Sequence, residues 1–138
     1  MARLAKLVVV VALVAMPVLV SGAPAQAATI NASPGTVAVG QPVTLSGDIL
    51  ADGQAGCAVP GEVTLISPAF NGLGEFAGVG AVSAPVDSAG SFNTTVTLPG
   101  TTAPGTYEIS GRCGGGNLGV TATLTVVAAP APPPSFTG

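Results

Sequence analysis

Three aspartates, Asp48, Asp52 and Asp87, are the side chains of this 138-residue chain best suited to chemistry. Two carboxylates can divide general acid and general base between them when the environment raises the pKa of one, as glycoside hydrolysis requires. The same oxygens, joined by backbone carbonyls, can hold a calcium ion. The spacing of these three matches no defined calcium loop, however. Asp52-Gly53 and Asp87-Ser88-Ala89-Gly90 are turn chemistry, in which the aspartate caps and the glycine accepts a positive φ. No catalytic, cofactor-binding or metal residue is therefore expected. Other chemistries fall by count. The chain has no histidine, so a Ser-His-Asp or Cys-His nucleophile lacks its base. Two cysteines are too few for a zinc site.

The N-terminus bears on this count. Arg3 and Lys6 precede an apolar run from Leu7 to Val20, and Ala25-Gln26-Ala27 offers a small-x-small cleavage site. The run is shorter than the roughly 18 to 20 residues that cross a bilayer. A secretory signal peptide over 1–27 is expected, cut between Ala27 and Ala28. Its removal takes Lys6, and with it any Ser-Lys pair. Arg112 then stands alone against Asp48, Asp52, Glu62, Glu75, Asp87 and Glu108, a formal charge of −5. Such a chain repels phosphate backbones and anionic bilayers, so neither nucleic acid nor membrane is expected as a partner.

From Ile30 to Val127, short runs alternate apolar and polar residues between Gly, Pro, Asn and Asp, with no 3.6-residue period. Strand A carries Ile30 and Ala32, breaks at Ser33-Pro34-Gly35 and resumes with Val37 and Val39. Strand B turns Val43, Leu45 and Ile49 inward, and strand C does so with Val63 and Leu65. Strand D falls within 76–83 and its parity is open, because Gly78 and Gly80 weaken it: either Phe76 and Val82 or Val79 and Ala81 are buried. Strand E buries Phe92, Thr94, Val96 and Leu98. Strand F aligns Tyr107, Ile109, Gly111 and Cys113 on one face, and strand G aligns Leu118, Val120, Ala122, Leu124 and Val126. About seven strands at this spacing predict an all-β, immunoglobulin-like antiparallel β-sandwich over 28–128.

Two cysteines behind a secretory signal predict a disulfide between Cys57, in the loop after strand B, and Cys113, at the end of strand F. In that topology the two positions lie at the same end of the sandwich. Tyr107 follows the corner made by Pro99-Gly100 and Pro104-Gly105, where a tyrosine hydroxyl commonly bonds to backbone a few residues upstream. Asn31-Ala32-Ser33 and Asn93-Thr94-Thr95 fit the glycosylation pattern, which matters only in a host that glycosylates. After 128 the chain reads APAPPPSFTG, a proline-rich tail over 129–138 suited to polyproline II.

Ser33-Pro34-Gly35, GQPVTLSG from Gly40, DSAGSF from Asp87 and PGTTAPGTY ending at Tyr107 together resemble the bacterial Ig-like modules of secreted and surface proteins of actinobacteria. The resemblance covers nearly all of the mature domain. It implies a spacer, structural or adhesive role and no catalytic residue. Ala28-Thr29-Ile30, Ser33-Pro34 and Val43-Thr44-Leu45-Ser46-Gly47 also look like the opening strands of the neocarzinostatin-like carriers. Those proteins hold an apolar chromophore but use two short-loop bridges, where this chain has one long-range pair. The expectation is a secreted, non-enzymatic module acting through an unknown surface or extracellular partner, without a cofactor. A small-ligand carrier is the alternative, with NGLGEFAGVG from Asn71 and GGGNLG from Gly114 as candidate cleft linings. A carboxylate-dependent hydrolase stands third.

Overall fold

The computed structural model describes residues 28–49, 57–114, 116–132 and 134. The expected signal peptide over 1–27, Asp52, and the last residues of the tail lie outside them. The described residues form nine strands and no α-helix. In chain order these are β1 (Thr29–Ser33), β2 (Thr36–Ala38), β3 (Pro42–Asp48), β4 (Gly61–Ile66), β5 (Glu75–Phe76), β6 (Val79–Val86), β7 (Ser91–Thr97), β8 (Gly105–Cys113) and β9 (Gly116–Val127). Nine appear where about seven were expected because strand A divides at Pro34 and because β5 adds a two-residue hairpin arm to β6.

One continuous path of pairing runs β1-β3-β7-β6-β4-β8-β9-β2. Neighbours on it are antiparallel except β2, which runs parallel to β9 with Thr36 beside Thr125 and Ala38 beside Val127. The two ends of the path are thus consecutive pieces of one chain segment, and β1 also lies against β9. The sheet nearly closes on itself. The link between β6 and β7 is the thinnest, a single pair of Val86 with Phe92.

Alternation decides what this closure encloses. In β3 Val43 and Leu45 are buried, in β4 Val63 and Leu65, in β7 Phe92 and Val96, in β8 Ile109, Gly111 and Cys113, and in β9 Leu124 and Val126. Successive side chains point to opposite faces, so each such strand gives the core every second residue. Fully burying a Leu, Val or Ile contributes about 1.5 to 3 kcal/mol, which makes this shared core the main source of stability. The parity expected for strands B, C, E and F holds.

Strand D departs from both expected parities. Phe76 lies outside β6 and is 36% exposed, while β6 runs on to Val86 and sends Ala84 and Val86 into the core with Val82 packed against it. Ala81, on the opposite parity, is buried too, because the 71–74 loop folds over it and its N–H donates to the Gly74 carbonyl at 3.0 Å. A strand covered on both faces cannot show simple alternation. In β9 the pairing with β8 slips between Ser110 and Arg112, and Gly119, with φ +74°, takes up the irregularity.

A short 3-10 turn, Pro68–Phe70, follows β4. Ser67 caps it by accepting the Ala69 N–H at 3.2 Å, with Pro68 in the first helical position. The turn drives Phe70, fully buried, into the core.

Strand directions place Thr29, Asp48, Ser91, Val86, Gly61 and Cys113 at one pole, and Ala38, Pro42, Thr97, Gly105 and Val127 at the other. The chain therefore enters the sheet at Thr29 and leaves it at Val127 on opposite poles. No helix among the described residues is long and apolar enough to cross a membrane.

Candidate functional site

Asp48 and Asp87 lie at the same pole. Asp48 ends β3 opposite both Thr29 and Ser91, and its N–H donates to Thr29 Oγ1 at 3.0 Å. Asp87 opens the turn between β6 and β7, where its Oδ1 accepts the N–H groups of Ala89 at 2.9 Å and Ser91 at 3.0 Å. The turn closes with Asp87 N–H to Ser91 O at 2.9 Å and Gly90 N–H to Asp87 O at 3.1 Å. Gly90 sits at φ +86°, and its carbonyl accepts the Ile49 N–H at 2.8 Å, which fastens the turn to the end of β3. Asp87 is thus a turn-capping acceptor, as its sequence context implied. A depression of about 400 Å³ lies beside it, lined by Pro85, Val86, Ser91, Phe92 and Asn93. Among the described residues no three of His, Cys, Asp and Glu gather where they could hold a metal ion.

Cys57 and Cys113 form a disulfide, with Cα atoms 4.7 Å apart. Cys113 is buried at the end of β8 and Cys57 packs against the core from the loop that precedes β4. The bridge ties this loop to the pole that also carries Asp48 and Asp87.

At the opposite pole the Tyr107 hydroxyl donates to the Ala103 carbonyl, four residues upstream. Thr102 Oγ1 donates to the Ala69 carbonyl at 3.2 Å, which couples this corner to the 3-10 turn. Tyr107, Pro68, Asn71 and 101–103 enclose a depression of about 310 Å³. The tyrosine serves the corner geometry that its position suggested.

The glycine-rich segment from Asn71 forms a stitched loop. Asn71 Oδ1 accepts the Gly80 N–H at 2.8 Å, and the Gly80 carbonyl accepts the Ser67 N–H at 2.9 Å. Leu73, 44% exposed, and Phe76 border an open depression of about 460 Å³ with Thr64, Glu75, Val82 and Ser83. The Arg112 guanidinium lies over the Phe76 ring, 5.1 Å from its centroid, so the last basic residue of the sequence is in cation–π contact. This contact was not anticipated: the two residues are 36 positions apart, and it takes the β5–β6, β6–β4 and β4–β8 pairings in succession to bring them together.

No protein-family model matches the chain, and no curated protein does. Among solved structures, the chain is similar to the alkylpurine DNA glycosylase AlkC of Pseudomonas fluorescens bound to DNA containing an abasic site analog, at 13% identity and a TM-score of 0.49. That match covers 74% of this chain and 30% of the glycosylase, so the chain spans under a third of that protein's length. It is also similar to BslA, a bacterial hydrophobin, at 18% identity and a TM-score of 0.40, covering 74% of this chain and 96% of the hydrophobin.

Proposed function

We propose that the chain is a secreted, non-enzymatic immunoglobulin-like module with a structural or interaction role at the cell surface or in the medium. The observation that carries this reading is the placement of Thr29 and Val127 at opposite poles. A domain entered at one pole and left at the other extends whatever it is built into by its own length. At about 3.3 Å per residue, the twelve residues of β9 span roughly 40 Å. The pairing order supports the immunoglobulin-like assignment, with a first strand that divides between β3 on one side and β9 on the other. The Tyr107 corner supports it too. The disulfide suits an oxidising destination, and secretion itself rests on the sequence of 1–27.

A carrier of a small apolar ligand is the second reading, favoured by the depression beside the exposed Leu73 and Phe76. Protein purified from its native culture separates the two. The module reading expects the mature mass beginning at Ala28 in the medium or on the cell surface, without a bound small molecule. A stoichiometric ligand seen by absorbance and native mass spectrometry overturns it in favour of the carrier, and protein retained inside the cells overturns secretion.

A further inference from the structure

We propose that the free edge of β7, residues 93–97, joins a second copy of this chain, strand to strand and antiparallel, about a twofold axis at Thr95. The inference goes beyond the module reading and does not depend on secretion. Hydrogen bonds at both ends of β7 fix which way its backbone faces. The Gly90 carbonyl accepts the Ile49 N–H and the Leu98 N–H donates to the Gln41 carbonyl, so even-numbered positions turn their N–H and C=O groups toward β3. Positions alternate along an antiparallel strand, so Asn93, Thr95 and Thr97 turn theirs the other way. On that side β7 meets β6 only where Phe92 pairs with Val86. Beyond that pair the strands part, and the depression lined by Pro85, Val86, Phe92 and Asn93 opens between them. Pro85, next in line on β6, has no N–H with which to continue the ladder.

The other edges among the described residues are covered. β5 pairs with Val79 and Gly80 along β6, and the Gly74 carbonyl accepts the next outward N–H, that of Ala81. β1 lies against β9; β2 and the Gly35 carbonyl take up the far end of β9, and Gly119 at φ +74° breaks the run between. Sheets manage their edges in these ways because a row of unpaired backbone groups invites another strand. β7 has no such cover.

The ends of this edge are closed, and that sets the register of its occupant. The Ser91 carbonyl accepts the Asp87 N–H at 2.9 Å, and Ser91 N–H donates to Asp87 Oδ1 at 3.0 Å. Pro99 has no N–H, and its carbonyl accepts the Thr102 N–H at 3.0 Å. The open groups therefore centre on Thr95. A second β7 laid antiparallel about that residue sets Thr95 opposite Thr95 of the second copy, each N–H donating to the other's carbonyl, and brings each Asn93 carbonyl to a Thr97 N–H. A slip in either direction sets Thr97 against Ser91 or Asn93 against Pro99, whose groups are already used. Each copy supplies what the other lacks, as a self-complementary twofold contact requires. The outward side chains Asn93, Thr95 and Thr97 are exposed, and 92–98 holds no ionisable residue, so no like charges meet across the axis. The product is one continuous sheet, β1-β3-β7 of one copy running on into β7-β3-β1 of the other.

The test is sedimentation equilibrium of the purified, disulfide-bonded protein from roughly 10 μM to 1 mM, the range suited to a short ladder with a small interface. The mass is expected to rise from monomer to dimer and stop there. Thr95→Pro removes the central N–H, which faces away from β3, and Thr95→Lys sets like charges across the axis; each should weaken dimerisation by about tenfold or more. Thr106→Lys, on the exposed face of β8, adds the same charge elsewhere and should stay within about twofold. Exchange of the Thr95 and Thr97 amide hydrogens should slow as concentration rises. If Thr95→Pro fails to melt cooperatively, Thr95→Lys, at an exposed position, carries the comparison. A monomer at every concentration, a dimer that Thr95→Lys leaves intact, or masses growing past the dimer overturns the proposal. A foreign peptide found seated on this edge in protein from the native culture overturns it as well, since β7 then receives other strands in place of its own copy.

Discussion

Cys113 closes β8 and is joined through sulfur to Cys57, 56 positions earlier, at the pole where the turn of Asp87 is fastened to the end of β3. The bond therefore holds the loop before β4 against the end of β8, the strand that pairs directly with β4. The chain-entropy account gives such a loop about 4 kcal/mol, acting on the unfolded state. The double variant Cys57→Ser, Cys113→Ser should lose up to that amount, a large share of a typical 5 to 15 kcal/mol. Urea unfolding of the oxidised, reduced and double-variant proteins checks it, and equal midpoints for all three would refute it.

Tyr107 is held by one hydrogen bond and its ring packing. Tyr107→Phe keeps the ring and strands the Ala103 carbonyl, which is exposed and can turn to water. The loss should be about 1 kcal/mol, with the denaturant slope unchanged. Tyr107→Ala should cost clearly more, because the half-buried ring goes as well.

Phe70 is the largest fully buried side chain and hangs from a three-residue turn. Phe70→Ala should cost about 3 to 5 kcal/mol, in the range of a core cavity. Ser67→Ala removes the cap of that turn and leaves a core serine's environment otherwise alone, so about 1 kcal/mol is expected. Thermal midpoints of both variants, measured with the disulfide intact, would show the ordering.

Glycine positions divide sharply by what surrounds them. A Cβ on Gly80 would lie 2.3 Å from the Asn71 backbone nitrogen, and one on Gly47 would lie 1.9 Å from the Thr29 carbonyl oxygen. Backbone cannot yield cheaply, so Gly80→Ala and Gly47→Ala should each lose 2 kcal/mol or more. At Gly111 the nearest atom is the end of the Leu118 side chain, at 2.6 Å, which can rotate, and the loss should be smaller. Gly100 has nothing within 4 Å, and Gly100→Ala should be neutral or stabilise by up to about 1 kcal/mol. A Gly80→Ala protein as stable as Gly100→Ala would contradict the tight packing of the 67–81 loop.

Much of the fold was legible where one face of a strand meets the core and the other meets water. Val43 and Leu45, Val63 and Leu65, and Tyr107 through Cys113 announced their parity because neighbouring residues experience opposite environments. Strand D did not, since Ala81 is buried, Val82 packs against the core, and Gly80 admits the close approach of 70–71. Phe70 was missed although Ser67-Pro68 carries a capping signal, because a turn so short has no period to display. Asp87 read correctly as a turn residue, because its capping bonds to Ala89 and Ser91 are local. The adjacency of Asn31, Ser46 and Asn93 across β1, β3 and β7 was invisible for a different reason: they become neighbours only through register, which local sequence does not state.

The split of the first strand between β3 and β9 also bears on mechanical load. Tension applied between residues 29 and 127 acts along the strands, with β1 drawn lengthwise past β3 and β9 drawn lengthwise past β2. The hydrogen bonds of each pair lie across that direction and share the force, instead of opening one after another as at a peeling edge. The two contacts that receive the chain and release it are thus arranged to resist being pulled apart.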